Sequence, residues 1–116
     1  MRAFITYTDA KGADRVDVFL QSLPAKDRQK LEYLLQALTG VERLGQPYFK
    51  AFTGYPFAFG ELILGDFRIF VHRLPGTAGE EKYLLVHGFR KKSQQTPTAE
   101  IRIATNRILQ YYAEHI

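Results

Sequence analysis

The stretch HGFRKKSQQTP, residues 87–97, sets a histidine, an arginine and two lysines within six residues, between an apolar run and a proline. Proton transfer near neutral pH calls first for histidine, and His72, His87 and His115 are the only three. None forms an HExxH or His-x-His pattern, and the carboxylates are scattered singly. Neither a metal site nor a paired-carboxylate site is therefore indicated. Cysteine is absent, which removes disulfides, thiolate zinc sites and cysteine nucleophiles together. There is no GxxxxGKS/T loop and no GxSxG elbow. Any active site is expected to work without a metal, a cofactor or a covalent nucleophile.

What remains is cationic: Arg68 in one apolar run, then His87, Arg90, Lys91 and Lys92 at the end of another. Such a set suits a phosphodiester, because guanidinium and ammonium groups hold phosphate oxygens and offset charge that grows in the transition state. RNA carries its own nucleophile, the 2′-hydroxyl, so a protein need only position it and move protons. His87 is the natural shuttle, since an unperturbed imidazole titrates near pH 6.5. A lysine with a depressed pKa among other cations is a substitute. A plainer reading competes with this one. A Lys/Arg run at a strand end is often only a solvated loop, His87 sits among apolar residues as a satisfied core histidine would, and Arg68 has Glu61 and Asp66 near it to pin a hairpin.

The elements that must position these groups follow from spacing. Residues 2–8 read as a strand ending at the turn-like DAKGAD. Val16, Phe19, Leu20 and Leu23 then fall at i, i+3, i+4 and i+7, predicting a short helix capped by Asp14 and stopped by Pro24. Leu31, Leu34, Leu35 and Leu38 repeat that spacing in a second helix from about Ala25, ending around Gly40 to Gly45. Two such helices with a tight break make a helical hairpin or a bent helix. Three aromatic and β-branched runs follow, FAFGELIL, DFRIFVHR and EKYLLVHGF. The first two are joined by Gly-Asp, a tight-hairpin signal, and the three together predict an antiparallel meander. Arg68 points to the opposite face from Phe67 and Ile69. Residues 46–52 stay undecided between strand and loop. Thr96 is placed to cap a last helix opening at Pro97, with Ile101, Ala104, Ile108 and Tyr111 as its buried stripe. The order β-α-α-β-β-β-α predicts an α+β domain with helices on one face of an antiparallel sheet.

At 116 residues the chain has room for one domain, spanning 1–116. It is 46% hydrophobic with nine Phe and seven Tyr, ample for a core without staples. The net charge is +4. Residues 1–65 hold eight basic and seven acidic groups and residues 66–116 eight and five, so most of the excess accompanies the cationic stretch. That balance favours polyanionic partners without proving one. No run approaches a membrane span and no signal peptide is apparent, so a cytoplasmic protein is expected.

ELILGDFRIFVHR, followed by KYLLVHGFRKKSQQTPTAEIRIATNRILQYY, resembles the RelE/HigB-like toxins of bacterial and phage type II toxin–antitoxin systems, with the phage-derived HigB-like subgroup nearest. The shared pattern is a Glu-Leu-Arg strand, a Gly-x-Tyr-Arg hairpin and a His-Gly-Phe-x-Lys-Lys segment leading through Thr-Pro into a helix. Here those parts fall at Glu61–Leu62, at Gly65 to Arg68 and at His87 to Pro97. The N-terminal VDVFLQSLPAKDRQKLEYLLQALTGVERLGQP is similar to the family's helical hairpin, so the likeness spans roughly residues 16–112. It implies a RelE-like α+β fold: an antiparallel sheet packed against an N-terminal helical hairpin, with a C-terminal helix. It also implies a metal-independent endoribonuclease that cuts mRNA on the ribosome and is held inactive by a cognate helix-turn-helix antitoxin. By that likeness Arg68 is a transition-state clamp, Lys91 and Lys92 are the paired lysines, and His87 is the residue before Gly-Phe. Arg90, Lys50 and Arg73 complete the expected RNA-binding set. Two positions depart from the pattern: Ile63 stands where the family has arginine, and Phe67 where it has tyrosine. A catalytically inactive RNA- or protein-binding relative and a ParE-like DNA gyrase inhibitor are the alternatives. An antitoxin is expected to cover the basic face or the helical hairpin. Tyr111, Tyr112 and YPFAF either join that contact or finish the core, the second being favoured.

Overall fold

A computed structural model describes residues 2–40, 45, 47–75, 81–92 and 97–115. Along them run β1 (Arg2–Thr6), α1 (Arg15–Ser22), α2 (Ala25–Gly40), β2 (Phe49–Ala51), β3 (Phe59–Leu64), β4 (Phe67–Leu74), β5 (Glu81–Arg90) and α3 (Thr98–His115). The five strands form one sheet in the order β1-β5-β4-β3-β2. Local chemistry sets most boundaries. Asp14 caps α1, its carboxylate accepting from the Asp17 backbone N–H at 2.8 Å. Pro24, which has no N–H to give and crowds the preceding turn, separates α1 from α2. Gly65, at φ 57°, is the first central residue of the β3–β4 turn, a position that a side chain would strain. Of the undecided stretch, Phe49–Ala51 form the short strand β2, paired antiparallel to β3. The Thr96 cap lies outside the described residues. Helix α3 opens one residue later than expected, with the Pro97 carbonyl accepting from the Ile101 N–H at 3.3 Å.

Two expectations are overturned. The sheet is mixed, because β1 joins the edge of β5 in parallel, Arg2 opposite Glu81 through Thr6 opposite Leu85. A parallel pair needs a long crossover, and here α1, α2 and the meander supply it. The helices also do not share one face. Phe19 of α1 packs over Gly88 of β5 and meets the Phe67 ring at 6.2 Å. Glu100 and Tyr112 of α3 bond to His87 and His72. Consecutive strand residues point to opposite sides, so Gly88 and His87 define two faces, α1 on one and α3 on the other. Helix α2 lies with α1: the Arg2 guanidinium, on that face, donates to the Leu38 carbonyl at 3.1 Å.

The sheet is consequently apolar on both sides. Leu62, Ile69, Phe70, Leu84, Val86 and Ile108 lose all solvent contact. Burying each such side chain contributes about 1.5–3 kcal/mol before the entropy of ordering it. β4, flanked by β3 and β5, carries the buried run Ile69-Phe70-Val71-His72. A bulge where Phe70 opposes His87 and Val71 opposes Leu85 keeps the two faces in step on either side of it. Among the described residues no helix is long and apolar enough to cross a membrane.

Candidate functional site

The β3–β4–β5 register decides which side chains meet. Lys50 opposes Glu61, Glu61 opposes Phe70, Phe70 opposes His87, and Arg68 opposes Phe89. Cross-strand partners share a face, so Lys50, Glu61, Arg68 and His87 all lie on the α3 face. Helix α3 covers one end of that face, where Tyr112 donates its hydroxyl hydrogen to His72 Nε2 at 2.7 Å and stacks on Phe57. Arg68 lies at the other end, beside the β3–β4 turn.

Arg68 is held tightly. Its Nη1 donates to the carbonyls of Gly65 at 2.6 Å and Phe67 at 2.9 Å, and its Nε lies 3.7 Å from Glu61 Oε1. Both side chains are largely buried, 16% and 3% exposed. Among the described residues, Arg68 Nε and Glu61 Oε2 have no hydrogen-bond partner. The pair is thus close but not hydrogen-bonded, which leaves part of its desolvation cost uncompensated. The plainer reading of Arg68, a hairpin pin paired with Glu61, is geometrically realised here. Ile63 opposes Arg68 on this face, giving it an apolar cross-strand neighbour. Phe67 is on the other face, edge-on to Phe19.

His87 has both ring nitrogens engaged. Nε2 is 2.5 Å from Glu100 Oε2, and Nδ1 is 3.3 Å from Arg107 Nη1, which also donates to the Val86 carbonyl at 2.8 Å. Arginine can only donate, so Nδ1 accepts and the ring hydrogen sits on Nε2, facing the carboxylate. Burial pushes the His87 pKa below its ordinary value, opposed by Glu100 and assisted by Arg107. The imidazole is therefore neutral at physiological pH and stacks on Phe89 at 5.7 Å. Glu100 and Arg107 were not picked out from the sequence. Their signal was present: both lie on the α3 stripe of Ala104 and Ile108, at spacings of three and four, where a charge must find a partner.

The other cations distribute unevenly. Lys91, half-buried, gives its backbone N–H to the Asp66 carbonyl at 2.7 Å, and exposed Lys92 follows it, so both sit by the β3–β4 turn that holds Arg68. Arg90 reaches Asp66 at 3.8 Å, both mostly exposed, at the same end of the sheet but on the α1 face. Arg73 is not brought to this cluster. It opposes Tyr83 at the far end of β4, on the α1 face, with Glu81 at 3.9 Å. A cleft of about 480 Å³ lies between α2 and β3, lined by Tyr33, Leu34, Leu38, Tyr48 and Leu64, with Lys30 its one charged group among the described residues. It is apolar and contributes no acid–base pair. Among the described residues no group of three His, Cys, Asp or Glu is arranged to hold a metal ion.

The model of the family described as phage derived protein Gp49-like (DUF891) matches residues 18–109, from α1 into α3. No curated protein matches the chain.

Proposed function

The chain belongs to the Gp49-like family of phage-derived proteins, a family associated with the toxins of toxin–antitoxin systems, and on that premise we propose that it is a metal-independent, ribosome-dependent mRNA endoribonuclease of RelE-like arrangement. The observation that carries the reading is that Lys50, Arg68 and the His87–Glu100 pair share one sheet face, with Lys91 beside the β3–β4 turn at the end next to Arg68. Among the described residues no side-chain hydrogen bond or ion pair holds Lys91 or Lys92 as Arg68 is held, and they bind phosphate oxygens as point charges. Arg68 adds positive potential from below the surface, where low dielectric strengthens it. His87, with both nitrogens engaged, is a positioning group in this scheme. A family of toxin–antitoxin toxins brings an antitoxin partner with it, and that partner covers the basic end of the sheet.

Induced expression of the wild type and of a Lys91→Ala/Lys92→Ala variant, with mapping of mRNA 5′ ends, tests the reading. Growth arrest with new cleavage sites, lost in the variant while the protein stays folded, supports it; normal growth with soluble wild-type protein refutes it. The firm engagement of Arg68 by Glu61 and two carbonyls favours a second reading, an RNA-binding relative without catalysis. That reading predicts salt-sensitive RNA binding with no cleavage product.

A further inference from the structure

The pair His87–Glu100 presents one proton-accepting group to its surroundings, and it is not the imidazole. His87 Nδ1 is taken by Arg107, and Nε2 carries its hydrogen toward Glu100 Oε2. The imidazole side chain is 13% exposed against 24% for Glu100. Among the described residues nothing donates to the second carboxylate oxygen, Oε1. Arg107 is itself fixed, by the Val86 carbonyl and by lying over the Tyr7 ring at 5.8 Å, so the ring is clamped from behind and directs its N–H at the carboxylate. We propose that Glu100 is the general base of the site, taking the 2′-hydroxyl proton of RNA, with His87 and Arg107 as its positioning residues.

The proposal rests on the endoribonuclease reading and adds the residue that the sequence pattern did not supply. As the 2′-oxygen forms its bond to phosphorus, its proton passes to Glu100 Oε1. The bond from phosphorus to the 5′-oxygen breaks, and that oxygen takes a proton from the Lys91 or Lys92 ammonium. The products are a 2′,3′-cyclic phosphate and a 5′-hydroxyl. Water then removes the proton from Glu100 and returns one to the lysine. The hydrogen bond from His87 holds Oε2 in place, leaving Oε1 to turn outward. His87 lies diagonally across the strands from Arg68, which opposes the next residue but one, Phe89, so the base and the buried cation flank one stretch of sheet.

Glu100→Gln separates this role from a structural one, because the amide oxygen still accepts from His87 Nε2 but cannot take a proton. Single-turnover cleavage of a defined mRNA on programmed ribosomes is expected to fall roughly 10²–10⁴-fold, the range for removing a general base, with ribosome affinity and melting temperature unchanged. Cleavage within twofold of wild type overturns the assignment, and so does a variant that loses binding and stability along with activity. A wild type that cuts nothing overturns the nuclease reading and this proposal with it. The positioning is read separately by imidazole ¹⁵N shifts in the wild type: a hydrogen on Nε2 and none on Nδ1 is the expected pattern, and the opposite tautomer overturns the clamp.

Discussion

The Phe19 ring occupies the space in which a side chain at Gly88 would begin, so α1 can sit on β5 only because residue 88 has no Cβ. The glycine of the His-Gly-Phe segment is thereby a packing requirement of the sheet's first helical layer, not a turn signal. Its backbone is ordinary extended strand, absent from the positive-φ positions.

Gly88→Ala should therefore destabilise the protein by about 1–3 kcal/mol, the usual cost of overpacking a filled core. Combining it with Phe19→Ala, which vacates the space, should cost less than the sum of the two single changes. Urea unfolding of the three variants measures both numbers.

Removing Arg68 leaves Glu61 buried without a counter-charge. Arg68→Ala should lose about 3 kcal/mol, in the range for breaking a buried pair, while Arg68→Met/Glu61→Leu should recover most of it. Thermal unfolding decides the matter. Loss of activity in Arg68→Ala alone is then no measure of a catalytic role, and the double variant provides the control.

Burial lowers the pKa of both His72 and His87, which holds each ring neutral in the folded state. The unfolded chain binds these protons near pH 6.5 and the native one only at lower pH. The stability they contribute is complete above that value and is lost as pH falls through the lowered native pKa values. Melting temperatures should thus drop as pH falls below about 6.5. The fall should be smaller in His72→Gln, which keeps a polar side chain there but no titration.

Lys91→Ala/Lys92→Ala should leave stability within about 1 kcal/mol of wild type, as expected for one half-buried and one exposed lysine at a strand end. RNA affinity should fall, and the slope of log affinity against log salt should shrink by roughly 1.4, two lost phosphate contacts on a single strand. Filter binding at several salt concentrations reads both.

The sequence alone determined the pieces whose causes are local. Asp14 and Pro24 mark the ends of α1, Gly65-Asp66 closes the β3–β4 hairpin, and leucine spacing makes α2, because each depends on residues within a turn or two. It also placed Arg68 on the face away from Phe67, since strand alternation has a period of two. Only tertiary structure decided that β1 runs parallel beside β5, and that α3 lies on the face opposite α1. Alternation says that β4 and β5 have two faces but not which helix will cover each, and both faces are apolar. Nor did spacing reveal what holds His87. Its partners Glu100 and Arg107 stand 13 and 20 residues along the chain and meet it only when α3 docks. Two charges on an apolar helical stripe announce that partners exist; packing alone chooses them.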